Sequence, residues 1–384
     1  MIALWMGCAA LAAAPEAEAP AGVEESPVGP TSPREVADML DMDPELLKRI
    51  QTGLDQIYER RYDESVAYFK TVEAEFPNTG LAAIAETVIW QARMLENFDY
   101  RHEKEYWQSS KRAKKQLTTA LSDDGSEAWE HLAMAAIVGM ESIHTFRRHR
   151  YLNALSLAFT AMGHIESSRE AAPGFVDLRL ADGMYLYWRT IVTQRSSVLP
   201  NFGDHKAEGI AAMEDVEQNG VFIRPLATLA LAFTFLEDGQ ARRAQAACDR
   251  NRKRYPDNVI NNLVTTMVLV KRRNYDNAIA VLEKVQTTDP TNAYQHYWRG
   301  VAHLKKDRYS KAKTSLDTYL ATGHLEKYQE AAANFRLGQL HAEQKDYGTA
   351  ADHFQRAIKI NGHKSSKKAL ETLKASRKAG TIDW

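Results

Sequence analysis

Small, aromatic and proline residues return along this chain at a fixed interval. Ala244, Ala278 and Ala312 stand 34 positions apart, as do Pro256 and Pro290, and Tyr275 and Tyr309. Tyr347 and Ala350 resume the series after an interval of 38, and the four extra residues fit the loop Ala321-Thr322-Gly323-His324. A fixed period of this size means one supersecondary unit made repeatedly; none can cover its apolar side alone, so neighbours stack in series. Between these markers apolar residues recur at spacings of three and four, the helical period, and no strand-like alternation persists. The expected fold class is all-α, an α-solenoid of stacked antiparallel helix pairs.

The residue types at the repeating places are specific. The clearest copy reads NFRLGQLHAEQKDYGTAADHFQRAI, with Leu337-Gly338, Tyr347, Ala350, Phe354 and Ala357 in register. Before it come Gly300, Tyr309, Ala312 and Leu316; then Tyr275, Ala278, Leu282, Val285 and Asp289-Pro290; then Ala232, Ala244, Cys248 and Pro256. Near the amino end Gly53, Tyr62, Ser65, Phe69, Val72 and Pro77 form a fifth copy. Glycine or alanine lets two helices approach where a larger side chain would hold them apart, and proline closes the second helix. This pattern resembles the tetratricopeptide-repeat (TPR) family, and more loosely the exported bacterial members with a diverged helical middle. The departures are Arg299 in place of the usual Leu, His296 and His303 at aromatic positions, and Gly362 where Pro would stand.

From about 78 to 222 the period is lost while the helical pattern continues. Helices are expected near 81–97, 103–121, 126–143, 148–168, 175–191 and 206–219, with stops at Asp123-Asp124-Gly125, Pro173-Gly174, Pro200 and Asn219-Gly220. The organisation read from the sequence is an export signal over 1–14, a flexible tether over 15–34 and a TPR-like helix pair over 35–77. The diverged helical region follows over 78–222, then four TPRs over 223–362, and a capping helix and tail over 363–384.

The export signal rests on the apolar stretch Ile2 to Ala14, which turns abruptly to Pro, Glu and Ala. Ala10-Leu11-Ala12 offers a small-residue cleavage site, and Gly7-Cys8 a lipoprotein-type alternative in which Cys8 is acylated and tethers the chain to a membrane. With Cys8 removed or acylated, Cys248 has no partner for an internal disulfide. The expected location is the periplasm or cell envelope.

Charge excludes some functions. Lys plus Arg number 49 against 50 Asp plus Glu, so no global field draws the chain to nucleic acid. Two local basic runs, Arg147-Arg148-His149-Arg150 and the lysines from Lys364 to Lys378, lack the exposed stacking aromatics of nucleic-acid readers and read as solvated helix faces. Glu141 and His144 have the helical spacing of a shared metal site, but no second Glu-x-x-His accompanies them, and no metal or cofactor is expected. No nucleophile elbow, phosphate loop or dinucleotide fingerprint occurs.

In the family that the repeats resemble, the first helix of each pair lines the concave side. The corresponding inward residues are Leu226, Leu229 and Phe233; Ile260, Leu263 and Met267; Tyr294 and Tyr297; and Phe335. A stripe this apolar either receives a peptide or helix from a partner or is filled by the chain's own middle. The resemblance implies a non-catalytic protein–protein interaction scaffold with a protein or peptide partner. The alternatives are a carrier enclosing an apolar ligand near Tyr185, Tyr187 and Trp188, and a metal-dependent helical enzyme. A clamp for a carboxy-terminal carboxylate is disfavoured, because the inward charges Glu237, Lys271, Lys305 and Glu343 have mixed sign.

Overall fold

The computed structural model describes residues 32–122, 127–195 and 203–384. These residues form 18 α-helices and one short 3-10 turn, with no strand among them. In chain order the helices are α1 (Pro33–Met39), α2 (Pro44–Tyr58), α3 (Tyr62–Glu75), α4 (Leu81–Asn97), α5 (Glu103–Ser122), α6 (Glu127–Arg147) and α7 (Tyr151–Ala171). After the turn Val176–Leu178 follow α8 (Arg179–Arg195), α9 (Lys206–Asn219), α10 (Arg224–Glu237), α11 (Ala241–Arg254) and α12 (Val259–Lys271). The last six are α13 (Tyr275–Thr288), α14 (Tyr294–Leu304), α15 (Tyr309–Leu320), α16 (Lys327–Glu343), α17 (Tyr347–Asn361) and α18 (Lys364–Lys378). The expected fold class is the observed one. The leader, Cys8 and the stops at 123–125 and Pro200 lie outside the described residues.

Helix formation begins inside the expected tether, at Pro33. Ser32 accepts the Glu35 N–H and the Glu35 carboxylate accepts the Ser32 N–H, a reciprocal cap strengthened by Pro33 in the first turn.

Two compact units result: one from the described residues up to Ala92 together with His102–Asn258, the other from Arg93–Arg101 together with Val259–Trp384. Within the second, each of α12 to α18 packs on the next in sequence, and the first helices of successive pairs, α12, α14 and α16, also touch in order. That is serial stacking. Within the first, α2 packs on α3, α6 on α7, α8 on α9 and α10 on α11.

The glycines explain the close approach. A Cβ on Gly338 would lie 2.5 Å from the Phe354 ring, and one on Gly300 would lie 2.6 Å from Leu316 Cγ. Gly53 stands in the same relation to Phe69. Each pair is 16 residues apart, so the glycine of the first helix is a socket for an apolar side chain of the second. In the diverged region Gly183 and Gly209 do this for each other: α8 and α9 cross with backbone against backbone, and a Cβ on either would come within 2.7 Å of the other's carbonyl oxygen.

The corners repeat as well. Arg60, Gly239, Arg273, Asp307 and Lys345 are left-handed, and the residue after each donates its N–H to a carbonyl five residues back at 2.7 to 3.0 Å. Phe98 and His149 make the same turn between α4 and α5 and between α6 and α7. The region that lost the sequence period thus keeps the corner.

Candidate functional site

The nine expected groove residues do not form one exposed surface. Leu226, Leu229 and Phe233 belong to the first unit and the other six to the second. Leu226 is 44% exposed and Leu229 half-buried, whereas Phe233 is fully buried. Ile260, Leu263, Met267, Tyr294 and Tyr297 are all buried. Phe335 is half-buried, and its ring lies against Phe354 (5.9 Å between centroids) and His363 (5.1 Å), toward the carboxy-terminal helix. As expected, the residues are apolar and on first helices, but most are covered by the chain itself.

Tyr294 and Tyr297 show what covers them. Their rings stack at 5.8 Å and 4°, and Tyr319, fully buried, leans on both. Burial pushes the Tyr319 hydroxyl well above its ordinary range, so it stays neutral. Onto this wall comes Phe98, from the segment Arg93–Arg101: its ring stacks on Tyr294 at 5.6 Å and meets Tyr328 edge-on at 5.8 Å. The main chain is held too. Asn292 Nδ2 donates to Glu96 O at 2.9 Å, the Ala293 N–H donates to Asn97 Oδ1 at 2.9 Å, and the Tyr328 hydroxyl donates to Phe98 O at 3.4 Å.

This grip has a counterpart in the first unit. Asn258 is 34 residues before Asn292, and its Nδ2 donates to Tyr58 O at 2.9 Å. Tyr58 stands two residues before left-handed Arg60, as Glu96 stands two before left-handed Phe98. Tyr255 adds its ring on Tyr58 at 5.4 Å and its hydroxyl on Asp55 Oδ1 at 2.5 Å. Sequence reading missed both asparagines. Their signal is the shared period, visible once Asn258 and Asn292 are aligned with the prolines at 256 and 290.

Of the eight described non-glycine residues with a left-handed backbone, Phe98 alone is buried, and the other seven are polar or charged. That conformation disfavours a bulky side chain by roughly 1–2 kcal/mol. Phe98 is therefore held there by its surroundings.

The remaining candidates resolve into packing. Glu141 accepts from Ser110 Oγ and, at 2.8 Å, from Lys114 Nζ, while His144 Nε2 lies 2.8 Å from Glu103 Oε1, so the two side chains serve different partners. His164 faces His131 instead, with the two Nδ1 atoms 2.9 Å apart. No three of His, Cys, Asp or Glu gather as a metal set among the described residues. Arg147 is buried, whereas Arg148, His149 and Arg150 are exposed, with Arg148 paired to both Glu103 oxygens, so the run is a solvated face in all but its first residue. Tyr187 and Trp188 are fully buried, and the Tyr187 hydroxyl donates to Thr234 O on α10. No described helix is long and apolar enough to cross a membrane. A cavity of about 700 Å³ is lined by Gly323, from the loop that holds the four extra residues, and by Lys327, Glu330, Arg356 and Lys359 among others.

A family model described as the tetratricopeptide repeat matches residues 265–322 and 297–364. No curated protein matches the chain. Among solved structures, the human IFIT1 dimer with m7Gppp-AAAA is similar in fold at 13% identity and a TM-score of 0.56, covering 89% of this chain and 92% of that one. The human IFIT1 dimer with PPP-AAAA gives 15% identity and 0.51, covering 87% and 86%. MamA (41-end) from Desulfovibrio magneticus RS-1 is 19% identical with a TM-score of 0.35, covering 47% of this chain and 94% of that one.

Proposed function

Because the chain is a tetratricopeptide-repeat protein, we propose that it is a non-catalytic scaffold that holds a protein or peptide partner on the first-helix faces of its repeats. The observation that carries this reading is that the loops leading into two first helices already hold polypeptide by its main-chain oxygens, through Asn258 on Tyr58 O and Asn292 on Glu96 O. A surface that satisfies carbonyl oxygens with fixed amide donors and packs an aromatic ring beside them has the chemistry of peptide recognition. At the expected positions, Leu226, Leu229 and Phe335 keep accessible area for a partner.

The test is affinity capture with the full chain and with Leu226→Glu. Leu226 is exposed, so the variant should keep helicity and melting temperature while losing a captured protein. If nothing proteinaceous co-purifies and native mass spectrometry finds a bound lipid, the scaffold reading is wrong and the carrier reading replaces it.

The finer proposal places the scaffold in a bacterial envelope after export, on the strength of the apolar stretch Ile2 to Ala14 and of Cys8. Fractionation and mass analysis of the mature amino terminus test it. Cleavage near Ala12 or an acylated Cys8 supports it, and an intact Met1 in the cytoplasmic fraction rejects it.

A further inference from the structure

The grip on Phe98 carries a prediction about the partner itself. It rests on the scaffold reading and narrows it. The geometry points to the aromatic recess of Tyr294, Tyr297, Tyr319 and Tyr328 as a recognition site for a turn-borne phenylalanine, occupied in this structure by the chain's own Glu96–Asp99.

Three observations converge. First, the occupant is of the wrong type for its corner: every other left-handed non-glycine residue described is polar or charged, and none is buried, yet here a phenylalanine is turned into a wall of tyrosines. The corner's own geometry gives no reason for it, since Arg60, Arg273, Asp307 and Lys345 make the same turn. The recess does. Second, three donors beside the recess each meet an oxygen of the segment: the Asn292 amide takes the carbonyl two residues before the phenylalanine, the Ala293 N–H takes the side-chain oxygen of the residue just before it, and the Tyr328 hydroxyl takes its own carbonyl. Third, Asn258 grips Tyr58 O in the same way without burying the turn residue, because Arg60 stands where Phe98 does. The main-chain grip is thus shared by these two asparagines, and the phenylalanine recess is particular to one of them.

These contacts define the ligand. It is a protein segment with asparagine or aspartate followed by phenylalanine at a tight turn, both neighbouring carbonyls free to accept, and the ring presented outward. Such a segment on a partner competes with Glu96–Asp99 for the same atoms.

The probe is a fluorescein-labelled peptide copying residues 93–101, titrated by polarisation into the full chain and into Phe98→Ala. The variant, its recess vacated, should bind at least tenfold more tightly than the unaltered chain. A peptide with alanine for its phenylalanine should lose that binding. Equal affinity of the two proteins, or indifference to the peptide's phenylalanine, overturns the assignment and leaves Phe98 a structural staple. Should Phe98→Ala fail to fold, amide exchange of the unaltered chain decides. Excess peptide should speed exchange over 95–101 while α14 and α16 keep theirs, and no change over 95–101 also overturns the assignment. Leu226→Glu lies on a different helix of the other unit, so partner capture through that surface can survive failure here, and the reverse.

Discussion

At the scale of single residues, the glycine sockets and one buried carboxylate make the sharpest demands. Gly338→Ala puts a methyl group 2.5 Å from Phe354, where the ring must shift against Ala350 and Leu370. Overpacking of this kind costs about 1–3 kcal/mol. Denaturant melts should show that loss, and Phe354→Leu in the same chain should restore part of it; additive losses would mean the two side chains do not share the space. Asp177 tests burial against hydrogen bonding. Its oxygens accept the N–H groups of Val221 (2.6 Å) and Phe222 (2.8 Å), yet burial raises its carboxyl from 3.8 to about 6. A carboxyl raised on folding contributes stability that is complete below about pH 4 and lost as pH rises through about 6. The swing is on the order of 3 kcal/mol at 1.36 kcal/mol per unit. Asp177→Asn should flatten that part of the stability curve and cost stability at pH 7, since its amide can accept only one of the two N–H groups at its oxygen. An unchanged slope between pH 4 and 6 would refute the assignment.

At the scale of elements, the helices were legible wherever packing fixes residue type. Gly300, Ala312 and Leu316 must be small or apolar because two backbones meet there, and the same demand wrote the 34-residue period. In the middle the helices were legible from apolar spacing: α4 and α9 run over the expected 81–97 and 206–219. The corners were not, because a left-handed turn secured by a bond five residues back accepts Arg, Asp, Lys, His or Phe and so leaves no single letter to find. What fills the inward stripe was hidden for a related reason. Tyr294 is the same residue whether a partner or Phe98 lies on it. The last helix is open to a direct test. Leu370 of α18 joins Ala350, Ala351 and Phe354, and His363 covers Phe335. Ending the chain after Gly362 should uncover that cluster and speed amide exchange in α17 at least tenfold, with α12 and α13 little changed. Equal exchange in α17 with and without α18 would show that it caps nothing.

At the scale of the whole molecule, a solenoid holds itself together by neighbour contacts, so a local lesion should spread only as far as its stack. Two compact units make this measurable, because each contains a glycine socket of the same design: Gly53 against Phe69 in the first and Gly300 against Leu316 in the second. Alanine at either adds one carbon to a space that has none, so the insult is matched and only its place differs. Gly300→Ala should raise exchange across α12 to α17, whose first helices α12, α14 and α16 pack in order, while α2, α3, α6 and α7 keep their protection. Gly53→Ala should do the reverse, loosening α2 and α3 and leaving α15 to α17 as they were. The segment Arg93–Arg101 is the informative exception: it is distant in sequence from α14 and α16 but is held by Asn292 and Tyr328, so it should follow Gly300→Ala and ignore Gly53→Ala. If either substitution instead raises exchange everywhere by one common factor, the chain unfolds as a single cooperative body, and Phe98 is fixed by the whole fold rather than by the recess it occupies.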